Sequence, residues 1–316
     1  MKKKLIFGLK LFVSVGLLAY LFSRIEIGLF LSQYAGLKFY LLAVILVIIF
    51  FQFNLSTLKW RIILAADDIE VPYTYLLKNY LIGGFISQFL PTSFGGDIYR
   101  VYSLKEFNGN LGRNTSSVLF DRISGLFALV SISIISSIFY FHGLNNYLFI
   151  TVYLVFCLMF WFLAADRTAE FLSNLKVKIP GIFIDIVRSF SKYKKNRKAF
   201  FQALFISVFF QHNIVWAIKL YCVALNIDIS VKYLFMFVPL IYLTEAIPIS
   251  INGIGIRDSA FVFFFLQVGN TKEEALALSL LVIMMRYMFS ILVGGSLFLK
   301  MILNVSYEKK AKKVGN

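Results

Sequence analysis

Pro91-Thr92-Ser93-Phe94-Gly95-Gly96-Asp97-Ile98-Tyr99-Arg100 has a counterpart further along the chain, Pro248-Ile249-Ser250-Ile251-Asn252-Gly253-Ile254-Gly255-Ile256-Arg257. Proline, serine, glycine and arginine fall at the same offsets in both. Each stretch interrupts an apolar segment, Tyr73 to Arg100 in one case and Tyr233 to Gln267 in the other, and each is followed by a long apolar helix carrying an arginine, Arg122 or Arg286. A break of this kind frees backbone polar groups where no water reaches them. It is tolerated at membrane depth only when buried in protein or lining a wet cavity.

The rest of the chain has the character of a membrane protein. Hydrophobic residues make up 59% of the sequence and charged residues 15%, against roughly 45–50% and about 25% in soluble domains. A helix of about 20 apolar residues spans the hydrocarbon core, and six such runs are present: Leu5 to Phe22, Phe39 to Leu58, Ser117 to Tyr140, Tyr147 to Ala165, Phe200 to Leu225 and Ala275 to Leu303. The first follows Lys2, Lys3 and Lys4 in the manner of a signal peptide, but without a small-x-small cleavage pattern after it, so a retained helix is expected. The net charge of +16 is carried beside apolar spans, which points to anionic lipid and away from nucleic acid. Cys157 and Cys222 lie in apolar runs and only two histidines exist, so neither a disulfide framework, a metal site nor a cofactor is expected. No pairing of nucleophile and base stands out, and the residues do not describe an enzyme.

Lysine and arginine placement orients the spans. The N-terminal lysines, Lys59 with Arg61, and Lys309, Lys310, Lys312 and Lys313 put both termini on the cytoplasmic side of the cell membrane, together with a basic loop at 166–198 in which Asp185 is the single acid between Lys176 and Lys198. On that count the segment at about 73–100 enters and leaves from the cytoplasmic side, and the one at 233–267 from the opposite side. The expected fold is therefore an all-α polytopic membrane protein, one domain over 1–316, with six full transmembrane helices and two Pro/Gly-interrupted re-entrant hairpins in an inverted-topology repeat. Pairs of short crossings are the alternative to hairpins. Inverted repeats with broken helices meeting near the midplane are a signature of secondary transporters.

Arg286 is the strongest single signal: at ~1.5 Å per residue it sits about 18 Å from Glu274 and about 21 Å from Lys300, out of reach of either surface. Charge at that depth faces the protein interior and marks function by default, or else forms a structural ion pair with Glu245 or Asp258. Asp121 and Arg122 either pair at the cytoplasmic rim or line the path. Gly95, Gly96, Gly253 and Gly255 allow positive φ and close backbone approach, and the helix starts after them, beside Arg100 and Arg257, suit an anion. The plainer reading is a tight turn with Asp97 paired to Arg100 and Arg257 to Asp258. Glu245 is a partner for Arg257 or Arg286, or a proton-coupling group. Gln211-His212-Asn213 lies mid-span and either lines the same cavity or joins helices.

Phe89-Leu90-Pro91 through Arg100, the Asp121-Arg122 pair, and Pro248 through Gly253-Ile254-Gly255-Ile256-Arg257-Asp258 together make the chain resemble the lysylphosphatidylglycerol synthase transmembrane-region family, the flippase-like or UPF0104 membrane proteins, along nearly its whole length. The resemblance implies a module related to the membrane half of the multiple peptide resistance factor, which moves aminoacylated phosphatidylglycerol between leaflets. Where that family reads Glu-Arg and Arg-Glu, this chain has Asp121-Arg122 and Arg257-Asp258, which keeps charge and shortens reach. A lipid flippase-like transporter follows as the expected function, moving a phospholipid or polyprenyl-phosphate-linked lipid whose anionic or zwitterionic headgroup is held by Arg100, Arg257 and Arg286 while Asp97, Glu245 and Asp258 position the arginines. The rival is a membrane scaffold for a lipid-modifying enzyme or glycosyltransferase, docked through the basic loop.

Overall fold

The computed structural model describes residues 2–90, 94–140, 181–246 and 249–304. The expected span at 147–165, Cys157, both tip prolines Pro91 and Pro248, and the C-terminal lysines lie outside the described residues. Within them every regular element is helical. The helices are α1 (Lys2–Phe22), α2 (Ile27–Ala35), α3 (Phe39–Ala66), α4 (Tyr73–Phe89), α5 (Gly95–Ser103), α6 (Lys105–Asn108), α7 (Leu111–Tyr140), α8 (Gly181–Lys195), α9 (Arg197–Ala224), α10 (Val231–Ala246), α11 (Ile256–Leu266) and α12 (Lys272–Phe289), which runs through a π-helical turn, Ser290–Gly295, and on to residue 304.

Among the described residues, four helices are long and apolar enough to cross a bilayer: Phe39–Ala66, Leu111–Ser136, Arg197–Ala224 and Lys272–Asn304. A fifth crossing results if Phe7–Phe22 and Ile27–Ala35 count as one span, although they are bent by 89°. The side chains they turn outward are those of a lipid-facing surface, with Phe12, Phe39, Val47, Phe201 and Phe205 well exposed. Water would not tolerate so many bare aromatic faces, whereas hydrocarbon does.

Both Pro/Gly-interrupted segments fold back on themselves. In the first, Tyr75 donates to the Ser103 carbonyl at 2.8 Å, Tyr99 donates to Asn79 at 2.8 Å and Gly96 N–H donates to Ser87 Oγ at 3.0 Å, so α5 runs antiparallel to α4. In the second, the Phe237 and Phe264 rings stack at 5.1 Å, and near the tip Glu245 meets Arg257. At ~1.5 Å per residue α4 and α10 are about 25 Å long, while α5 and α11 reach only about 14–17 Å. The shorter arms fall well short of a ~30 Å hydrocarbon core.

The packing exchanges parts between the halves. Helix α3 lies against α9, α4 packs on the π turn after α12, and α10 packs on α7. Gly294 and Gly295 are what allow the α4 contact, because a Cβ at either would press on the Leu81 carbonyl or the Phe85 ring. A buried apolar core built from α9, α10, α11 and α12, including Tyr221, Phe237, Phe261, Phe265 and Met285, holds the second hairpin in place.

Within the basic loop, Gly181–Lys195 is helical. Helix α8 packs on α7, buries Phe190 and Tyr193, and is pinned by the buried carboxylate of Asp67, which meets Lys192 at 2.9 Å, Arg113 at 3.0 Å and Ser189 at 2.9 Å.

Candidate functional site

Each hairpin carries an ion-pair cluster. On the first, Arg100 and Asp121 are each 4% exposed. Asp121 accepts from Arg100 Nη2 at 3.0 Å and from the Tyr80 hydroxyl at 3.2 Å, and its other oxygen lies 2.9 Å from Lys59 Nζ. Lys59 donates further to the Asp121 carbonyl at 2.8 Å and to Ser207 Oγ at 3.1 Å. Asp97 takes Arg100 at 3.5 Å and also binds Arg122. The Arg100 guanidinium is further covered by Trp60 and Tyr80, whose ring centroids are 4.2 and 4.0 Å away. An arginine so placed gains both cation–π attraction and paired charge.

The second cluster is looser. Arg257 and Asp258 are fully buried, and Arg257 reaches Glu245 and Asp258 only at 3.6 Å each, beyond hydrogen-bond length. Glu245 instead pairs closely with Arg286 at 2.6 Å. Asp258 turns back to its own helix start, accepting the Gly255 N–H at 2.8 Å and bonding Ser279.

The two tips meet. Asn252, from the second tip, donates its side-chain amide to the Ser87 and Gln88 carbonyls at the end of α4, at 3.0 and 3.2 Å, and the Tyr287 hydroxyl donates to the Gln88 carbonyl at 3.4 Å. Ser14 of α1 accepts the Ile251 N–H at 2.9 Å, which ties the first helix to the same loop.

The ion pairs expected as the plainer reading are therefore present: Asp97 with Arg100, Arg257 with Asp258, and Arg286 with Glu245. Arg122 and Arg286 remain the more open arginines, with side chains 38% and 28% exposed. The glycines divide by role. Gly253 and Gly255 take φ of +77° and +86°, but Gly95 and Gly96 open α5 without positive φ, correcting that expectation. What they supply is closeness, since a Cβ on Gly96 would collide with the Gly83 carbonyl and one on Gly95 with Leu90. The helix starts, too, are less open to an anion than expected, because Gly96 N–H is taken by Ser87 and Gly255 N–H by Asp258.

Several participants carried no sequence signal of their role. Lys59 reads as a topology marker, yet its ammonium is buried against Asp121. Only its place one turn beyond Ser56 on an apolar helix hinted at burial. Tyr80 and Trp60 were indistinguishable from core aromatics. Gln211-His212-Asn213 stays apart from both clusters: Asn213 accepts from Gln52 of α3 at 3.2 Å, Gln211 donates to the Gly125 carbonyl at 3.3 Å and His212 bonds its own helix at Val208. These are interhelical and local bonds. Among the described residues no group of three or more His, Cys, Asp or Glu could hold a metal ion.

A family model described as lysylphosphatidylglycerol synthase TM region matches residues 7–294, a span that contains both hairpins and both clusters. A UPF0104 membrane protein of Methanocaldococcus jannaschii is 25% identical over 241 residues, covering 72% of this chain and 99% of its own length. No solved structure matches the chain.

Proposed function

The chain belongs to the lysylphosphatidylglycerol synthase TM-region family, and from that membership and the two facing hairpins we propose that it is a lipid flippase-like transporter. A phospholipid or polyprenyl-phosphate-linked lipid passes its headgroup between the hairpin tips while its acyl chains stay in the bilayer. The observation that carries this reading is the meeting of two broken-helix tips through Asn252, with a buried charge cluster on either side. Charges cost too much at membrane depth to be kept there without a polar path or partner.

The inverted-topology repeat is part of the proposal. Its support is the exchange of contacts, α4 on the end of α12 and α10 on α7 around a central α3–α9 pair. Support for re-entrant hairpins rather than paired crossings comes from the shortness of α5 and α11. The positive-inside bias orients both termini to the cytoplasm. Arg122 and Arg286, the more open arginines, are placed to meet a passing phosphate, with Asp97 and Glu245 as the carboxylates that hold them between passages.

Leaflet exchange of labelled phosphatidylglycerol and of a polyprenyl phosphate in proteoliposomes tests the reading. Wild-type protein should exchange at least one of them, and Arg286→Ala should bring exchange to the protein-free background. Background exchange by wild type for both lipids, with folded protein present, would overturn it. A scaffold role has one observation in its favour: α8 is a docked helix with Arg188 and Lys192 exposed, followed by exposed Arg197 and Lys198, a surface fit for an acidic partner.

A further inference from the structure

Helix α9 exposes Phe205, Phe209 and Trp216 along one stripe, and His212 stands on it, three residues after Phe209 and four before Trp216. Spacings of three and four place residues on one helix face. The stripe is flanked by Phe51 of α3, an exposed ring that meets Phe209 at 6.3 Å, and by Phe235 of α10, 5.2 Å from His212 and 6.4 Å from Trp216. At its centre are three polar side chains, His212, Asn213 and Gln52, all partly exposed. At ~1.5 Å per residue His212 is about 22 Å from Arg197 and about 18 Å from Ala224, out of reach of either end of its helix. The internal bonds of these three leave part of their capacity unused. Gln52 Nε2 donates to Asn213 Oδ1 at 3.2 Å, and His212 Nδ1 lies 2.9 Å from the Val208 carbonyl. A carbonyl only accepts, so Nδ1 carries the proton and the neutral ring presents Nε2 as an acceptor. Among the described residues no partner meets that Nε2, the Asn213 Nδ2 or the Gln52 Oε1. Hydrocarbon offers them none, and an ionisable side chain at mid-span ordinarily faces protein or water.

We infer that this face of α3, α9 and α10 is where a second copy of the chain docks within the bilayer, with His212, Asn213 and Gln52 bonding across the two-fold axis. The occupant follows from the chemistry of the open groups. Asn213 Nδ2 donates while His212 Nε2 and Gln52 Oε1 accept, so the face holds both halves of a hydrogen bond and calls for no oppositely charged partner. A surface of that kind is its own complement about a two-fold axis, where every contact is made twice. Polar side chains join helices in membranes in this way, and Phe51, Phe209 and Trp216 around them supply the aromatic area that interface cores favour. The inference stands apart from the transport reading, because none of these residues belongs to the hairpin tips or to either ion-pair cluster.

The test is self-association of the full-length protein in liposomes, read by energy transfer between donor- and acceptor-labelled copies over a range of protein-to-lipid ratios. Wild type should form pairs, and His212→Leu and Asn213→Leu should each weaken the pairing constant about tenfold, one modest interhelical hydrogen bond counted twice. His212→Leu removes only a bond within its own helix, so the protein stays folded. A second measurement is independent of those changes. Phe209→Cys in the otherwise native chain should form a disulfide with the same position of a second copy, and should do so equally with Cys157→Ser added. Leu299→Cys, exposed beyond the π turn of α12, should not. Wild type that stays monomeric at every ratio, or pairing unchanged in both leucine variants, would overturn the inference. So would Phe209→Cys bonding to Cys157 of its own chain, or capturing a different membrane protein in native membranes in place of a second copy.

Discussion

Replacing Asp121 by Asn removes the carboxylate that Lys59 and Arg100 share, and both cations are buried. Breaking one side of such an arrangement costs about 3–5 kcal/mol, because the remaining charge stays in place without compensation. Thermal unfolding in detergent should show Asp121→Asn strongly destabilised, and a variant as stable as wild type would mean that water reaches this cluster. A second expectation concerns a pair of glycines. Gly96→Ala forces a methyl group onto the Gly83 carbonyl and should cost about 1–3 kcal/mol as α5 is pushed off α4; Gly8→Ala, with open space around it, should be neutral by the same measurement. The sequence named Arg100, Arg257 and Arg286 as a set because they are charged residues in apolar runs. It did not separate them, since burial and partners come from helices distant in the chain: the rings over Arg100 belong to α3 and α4, and the partner of Arg286 belongs to α10.

Helix by helix, the junction of the tips and the docking of α8 are the contacts whose loss is easiest to read. Asn252 stands at φ +50° and donates to two carbonyls, so Asn252→Ala loses both bonds and puts alanine in a left-handed conformation. A loss of about 1–3 kcal/mol follows from the unmet carbonyls, and cross-linking of cysteines placed at Ser87 and Ile251 should become less efficient if the tips part. Helix α8 offers a test in pH. The hydrogen bond from Lys192 to Asp67 is the main cause that raises the lysine above its ordinary value. A cation raised in the folded state stabilises the fold fully below the ordinary lysine value of ~10.4 and loses that contribution as pH climbs through the raised one. Thermal midpoints followed from pH 8 to pH 12 should therefore fall more steeply for wild type than for Lys192→Gln across the alkaline end. Sequence periodicity showed the long helices plainly, but read 166–198 as a loop; at 181–195 the apolar face of α8 is covered by α7, and a face that needs a partner does not announce which one.

Taken whole, the molecule is a multi-pass helical membrane protein in which two halves lend each other packing surfaces. If the two hairpins open to opposite faces, then single cysteines at Lys105, between α5 and α7, and at Asp228, between α9 and α10, should label from opposite sides of intact cells with a membrane-impermeant maleimide. Labelling of both from one side would remove the inverted arrangement. The membrane character, four of the six expected long spans, the two interrupted segments and the family were determined by sequence, because apolar runs, proline–glycine breaks and buried charges are local features that bilayer physics makes costly to misplace. What only the tertiary structure decided is which charges answer one another. Lys59 enters the first cluster, Arg100 is closed in by two rings, and Arg257 lies buried between Glu245 and Asp258, 3.6 Å from each. Pairing at 3 Å depends on how distant helices cross, and no pattern along a single chain encodes that distance.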